Sequence, residues 1–234
     1  MARGRVAPAL RVAHQLCDRS ERLRTARPGS SAPDRARGAR CVGLAEPAPN
    51  WSAARCLSEQ VAERLAGVSA PWCIAAGWAL DLFRGRQSRP HGDLEIAVPS
   101  AGFTEIRERF PEYVFDAVGS GRVWANADAE VLAATHRTWL RDPVSGQFLF
   151  DVFREPHDGG TWICRRDESL RLPYDAIVER TAEGIPYLVP ELVLLFKAKA
   201  ARPKDQADFD GALPQLSQAT QALAWATYLP PSRT

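Results

Sequence analysis

Two carboxylates interrupt an apolar strand in the stretch AGWALDLFRGRQSRPHGDLEIAV, residues 76–98. Side chains two apart on a strand share a face, so Asp93, Glu95 and Ala97 line one side while Leu94, Ile96 and Val98 line the other. At about 3.3 Å per residue the two acids sit roughly 6 to 7 Å apart, where they repel each other unless water or a cation lies between them. That spacing suits a divalent metal held by oxygen ligands. Upstream, WCIAA (72–76) reads as a short buried strand that runs through Ala76 and Gly77 straight into a helix. The helix pairs Trp78 with Leu82 and Ala79 with Phe83, and Gly85 ends it. A turn of small residues lets backbone approach a phosphate, and the N–H groups at a helix start favour the anion.

A third acid stands in QFLFDVFRE (147–155), where Asp151 shares its face with Leu149 and Phe153. An ionised carboxylate buried without a partner costs several kcal/mol. Asp151 is therefore protonated, paired with Arg154 or Arg141, or part of a cation site with Asp93 and Glu95. The last case requires the two carboxylate strands to be neighbours. THRTWLRD and QFLFDVFRE flank the turn-forming DPVSG and predict a β-hairpin.

Elsewhere, Ser52 caps a first helix with Ala54, Leu57, Val61 and Leu65 at helical spacing. Ser100 opens another with Phe103, Ile106 and Phe110 on one stripe, and strands follow at EYVFDAV and GRVWAN. The chain returns to helix at PELVLLFKAKAAR and KDQADFDGALPQL. The order of elements predicts an α+β domain with helices gathered late. Asp81, one turn into its helix, reads as an acid that complements the dipole. Arg86, Arg89, His91, Lys197, Lys199 and Lys204 are candidate phosphate contacts. Two helical positions two apart differ by about 200°, so Lys197 and Lys199 cannot share one pocket. Of the tryptophans, core by default, any near the site could stack on a base.

The charge is unevenly spread. Residues 1–47 hold ten arginines against four acids, +6, which leaves −4 for the rest of a chain of net +2. The later part thus has no basic surplus for tight duplex binding. The Arg-, Ala- and Pro-rich start predicts a disordered extension over 1–47, as a basic arm, a transit peptide or an over-extended translation start. Residues 52–234 form the domain, with a core to about 188 and a helical part over 189–234. Five scattered cysteines without a metal-ligand spacing read as reduced thiols in a cytoplasmic protein. No apolar run reaches the roughly 18 residues of a membrane span.

From AGWALDLFRGRQSRPHGDLEIAV through FLFDVFRE to PELVLLFKAKAARPKDQADF, about residues 52–216, the chain resembles the minimal nucleotidyltransferases of the polymerase-beta-like superfamily. It is most similar to bacterial aminoglycoside nucleotidyltransferase-like proteins. The resemblance implies a nucleotidyltransferase fold with a mixed sheet packed by helices. It makes Ala76-Gly77 the phosphate turn, with Trp78 directly after it, and Asp93 and Glu95 the metal pair. Asp151 becomes the third acid, either a metal ligand or the general base. Arg89, His91 and Lys197 fall to the nucleotide site, as does Lys204 in KDQADF with Asp205 and Asp208. It also implies Mg²⁺, two ions, with ATP or another NTP as co-substrate. The chain departs from the family's pattern at Ala76, in place of Gly, and at Glu95, in place of the commoner Asp.

The expected activity is transfer of a nucleoside monophosphate, AMP from ATP, to a hydroxyl of a small, aminoglycoside-like acceptor. The acids of EYVFDAVGSGRVWANADAE could complement a cationic acceptor. Competing readings are a toxin-like enzyme acting on tRNA or protein, with the basic arm touching nucleic acid, and a degenerate domain that binds nucleotide or a partner without catalysis. No membrane partner is expected, and the oligomeric state stays open.

Overall fold

The computed structural model describes residues 51–198, 202–217 and 221. Helix α1, Trp51–Arg64, begins one residue before the expected Ser52 cap. Strand β1, Cys73–Ile74, leads into α2, Ala76–Arg84, and β2 spans Leu94–Pro99. A 3-10 turn at Ser100–Gly102 precedes α3, Phe103–Glu108. Strands β3, Val114–Gly119, and β4, Arg122–Trp124, are followed by α4, Ala129–Ala134. The expected hairpin forms from β5, Arg137–Arg141, and β6, Phe148–Glu155.

The chain then makes β7, His157–Asp158; β8, Thr161–Ile163; and β9, Arg171–Pro173. Helix α5, Tyr174–Ile177, precedes β10, Val178–Arg180, and β11, Pro186–Leu188. Helices α6, Pro190–Ala198, and α7, Pro203–Ala212, complete the ordered run, with a 3-10 turn at Leu213–Gln215. The basic extension over 1–47, Lys199 and the segment from Ala222 lie outside the described residues.

Eight strands form one mixed sheet in the order β10-β11-β1-β2-β6-β5-β3-β4, and β7, β8 and β9 form a small antiparallel sheet. Strands β2 and β6 are parallel neighbours at its centre, in a register that sets Glu95 beside Asp151 and Ala97 beside Phe153. Alternation explains the burial. Leu94, Ile96 and Val98 of β2 and Phe150 and Val152 of β6 are buried in one core with Phe103, Ile106 and Phe110. Helix α2 packs on α6 and α7, which closes the side of the sheet that carries the carboxylates.

Candidate active site

The register of β2 and β6 brings the three acids together: one oxygen from each of Asp93, Glu95 and Asp151 lies within 4.8 Å of the others. Asp93 is exposed, Glu95 half-buried and Asp151 buried. Burial, then the charges of Asp93 and Asp151, pushes the Glu95 carboxyl up to about 8. Burial also pushes Asp151 up to about 6, against the pull of Arg137. Three carboxylates this close are under-compensated by one guanidinium, so the donor set fits a divalent cation in number and kind.

The partner of Asp151 is Arg137, not Arg154 or Arg141. Arg137 donates through Nε at 2.8 Å and through Nη2, both to Oδ2, and Nη2 lies 3.9 Å from Asp93. Arg154 is three residues along the same strand, hence on the opposite face, where it bonds Thr138, Thr135 and the Leu132 carbonyl. Arg141 is taken by Asp116, at 2.6 Å. Strand parity alone would have excluded Arg154. The diagonal reach of Arg137 needs the hairpin register, which sets Arg137 opposite Phe153 and Trp139 opposite Asp151.

Asp93 and Glu95 line a cavity of about 460 Å³ whose walls also include Ala76, Gly77, Arg89, His91, Lys197 and Lys204, with Asp151 beside them on β6. At its head, Ala76 adopts a left-handed φ of +50°, the conformation a glycine would supply, and the Ala75 N–H is bound by the Glu95 carbonyl at 2.7 Å. The backbone turn is thus kept despite the extra methyl. Gly77 is required by its neighbours: a Cβ there would stand 2.5 Å from the His91 ring and 2.9 Å from Arg89.

Several expected phosphate contacts have protein partners. Arg89 forks onto Asp208 with two bonds of 2.9 Å and donates to the Pro90 carbonyl. Lys197 lies 2.9 Å from Asp205 and 2.8 Å from Asp208. His91 is held at 2.5 Å by Asp81 and stacks 4.7 Å from Trp78. Trp78 is therefore a core residue under His91 and only 3% exposed. Asp81 is completely buried and also accepts the Ser88 N–H and hydroxyl, so it anchors the basic loop rather than facing solvent at the helix start. Asp205 is held well below the usual carboxylate range, against the cost of burial, by Arg202 and Lys197. Lys204 is exposed on the cavity wall.

The acids expected to face a cationic acceptor do not reach this cavity. Asp116 is buried against Arg141 and the Asn126 N–H on β3, which two strands, β6 and β5, separate from β2. Instead the remaining wall is built from Trp72, Phe153, Trp162, Tyr174 and Phe196, with Glu155, Arg165 and Arg166. Among these Glu155 carried a readable signal, four residues beyond Asp151 and on its face.

A family model described as aminoglycoside-2''-adenylyltransferase matches residues 58–142. That span includes the turn, Asp93, Glu95 and Arg137; Asp151 lies beyond it and is brought in by the β2–β6 register. No curated protein matches the chain in sequence. Among solved structures, ANT(2'')-Ia in complex with adenylyl-2''-tobramycin superposes with a TM-score of 0.50 at 15% identity, over 74% of this chain and 95% of that one. The lincomycin-bound lincosamide antibiotic adenylyltransferase LnuA gives 0.48 at 15% identity, over 67% and 94%. An antigenic nucleotidyltransferase-like protein from Paracoccidioides brasiliensis gives 0.41 at 15%, over 72% and 84%. The family match thus covers the strand of Asp93 and Glu95, and the fold around it is similar to that of ANT(2'')-Ia.

Proposed function

We propose that the chain transfers a nucleoside monophosphate, AMP from Mg-ATP, to a hydroxyl of a small acceptor. The observation that carries this is the meeting of Asp93, Glu95 and Asp151 within 4.8 Å, at the edge of a cavity headed by the Ala76-Gly77 helix start. Asp93, Glu95 and Asp151 would hold the metal, which would neutralise the triphosphate and lower the pKa of the attacking hydroxyl. In the reaction the acceptor oxygen bonds to the α-phosphorus, the bond to the bridging oxygen breaks, and pyrophosphate leaves.

Asp151, the most buried of the three acids, takes the acceptor's proton, and burial, which pushes its pKa up to about 6 in the metal-free protein, makes it a stronger base than an ordinary Asp. Both Arg137 bonds fall on Oδ2, so Arg137 orients this carboxylate. The N-terminus of α2 cradles phosphate through its backbone N–H groups. Lys204 offsets the charge that develops on pyrophosphate, and Arg89 and Lys197 keep the wall in shape through Asp208. The acceptor that fits is decided by the far wall of the cavity.

The test follows the two labels of ATP. Label at the α-phosphate should move to the acceptor while γ-label leaves in pyrophosphate. Asp151→Asn should lower kcat about 100-fold or more with Mg-ATP binding retained. Release of γ-label as inorganic phosphate in place of pyrophosphate would reject nucleotidyl transfer.

A further inference from the structure

Resting on the nucleotidyl-transfer reading, we propose that the acceptor is a neutral or anionic hydroxyl compound with a flat or apolar ring, and not a polyamine sugar. The wall acids are already matched. Asp205 is taken by Lys197 and Arg202, at 2.9 and 2.7 Å. Glu155 accepts from Trp162 Nε1 and pairs with Arg165, each at 3.3 Å, and its burial pushes its pKa up. Asp93 and Glu95 lie side by side with Asp151, one oxygen of each within 4.8 Å of the others, as a set that would share a cation. Among the described residues, the wall carboxylates outside the Asp93–Glu95 pair are thus already paired with cations.

The unmatched groups are of the opposite kind. Arg166 is exposed, lies 4.8 Å over the Phe196 ring and donates to the Phe196 carbonyl at 2.8 Å, and among the described residues it has no ion-pair partner. Lys204 is a second exposed cation on the same cavity. A polycation would meet Arg166 without a counter-charge, at a cost that grows with each ammonium it carries.

What the wall does offer is ring surface and one orphan polar atom. Trp72, Phe153, Trp162 and Phe196 line it, and Arg165 lies 4.7 Å over Phe196 and 5.8 Å over Phe153, which stiffens the aromatic side. The Tyr174 hydroxyl is buried with no hydrogen-bond partner. Such an atom is satisfied by a water or ligand group that brings a hydrogen-bond partner to it. An aromatic wall with the Tyr174 hydroxyl and a guanidinium without a carboxylate partner among the described residues selects a ring that carries a hydroxyl or carboxylate.

Calorimetry on the full chain, with and without the α,β-methylene analogue of Mg-ATP, tests this with three probes: p-nitrophenyl β-D-glucoside, its glucuronide, and tobramycin. We expect both ring probes to bind at least tenfold more tightly than tobramycin, with and without the nucleotide analogue. Arg166→Glu, at an exposed position, should weaken the glucuronide about tenfold, leave the glucoside within about twofold and improve tobramycin; Arg166→Lys should restore the glucuronide. Tighter binding of tobramycin overturns the proposal. So does loss of the ring probes when the analogue binds, because the aromatic wall then belongs to the adenine. Binding of the ring probes without any binding of the analogue would instead reject nucleotidyl transfer and leave the ligand class standing.

Discussion

Glu95 is the residue whose chemistry is most exposed to test. Its pKa is pushed up to about 8 and that of Asp151 to about 6, so both bind protons more tightly folded than unfolded. The stability this contributes is present in full at low pH and is lost as pH rises through about 6 and then about 8. His136, lowered to about 4 by burial and neighbouring arginines, acts in the opposite direction only below its ordinary range. Between pH 6.5 and 8.5 the metal-free protein should therefore lose Tm, Mg²⁺ should restore it, and Glu95→Gln should flatten the dependence. A metal-free Tm that rises over this window would contradict the assignment. Ala76 gives a second test. A left-handed Ala costs about 1–2 kcal/mol and a Gly loses part of that to chain entropy, so Ala76→Gly should stabilise by about 0.5–1 kcal/mol in chemical denaturation and lower the KM for ATP. Destabilisation would show that the methyl packs usefully. Asp93, Glu95 and Asp151 were legible as candidates because an acid in an apolar alternating strand is locally anomalous. Arg137 was not, because its partner is chosen by the hairpin register.

At the scale of elements, the long alternating strands β2 and β6, the β5–β6 hairpin and helices α2, α6 and α7 follow from periodicity and stop signals. The small sheet and strands β10 and β11 do not, since elements of two or three residues are too short to show a period. The adjacency of β2 and β6 is likewise a fact of topology: 48 residues, 100–147, lie between the end of β2 and the start of β6, and no local pattern pairs them. The ion pairs that tie the basic loop to the late helices were equally hidden, because Lys197 and Arg89 look like free cations until Asp208 is seen between them. Asp208 is 3% exposed and serves both. Asp208→Asn should cost about 3 kcal/mol in urea unfolding, the lower end for a buried pair that loses one partner. A loss below about 1 kcal/mol would mean that the two cations are held by other contacts.

For the whole molecule, the fold puts the carboxylates of Asp93 and Glu95, the start of α2 and an aromatic wall around one cavity, with residues of α6 and α7 in its wall. Among the described residues no helix is long and apolar enough to cross a membrane. The aromatic chamber could not be read from the sequence, since Trp72 precedes β1, Trp162 comes from β8 and Phe196 from α6, and all look like ordinary core residues. The central claim is that Asp93 and Glu95 bind nucleotide through a metal. Calorimetric titration of ATP into the full chain, with and without Mg²⁺, beside the Asp93→Asn, Glu95→Gln double variant, tests it directly. The wild type should bind ATP only with Mg²⁺, and the folded double variant should lose that binding. Equal binding by both proteins, or binding to the wild type that ignores Mg²⁺, would contradict it.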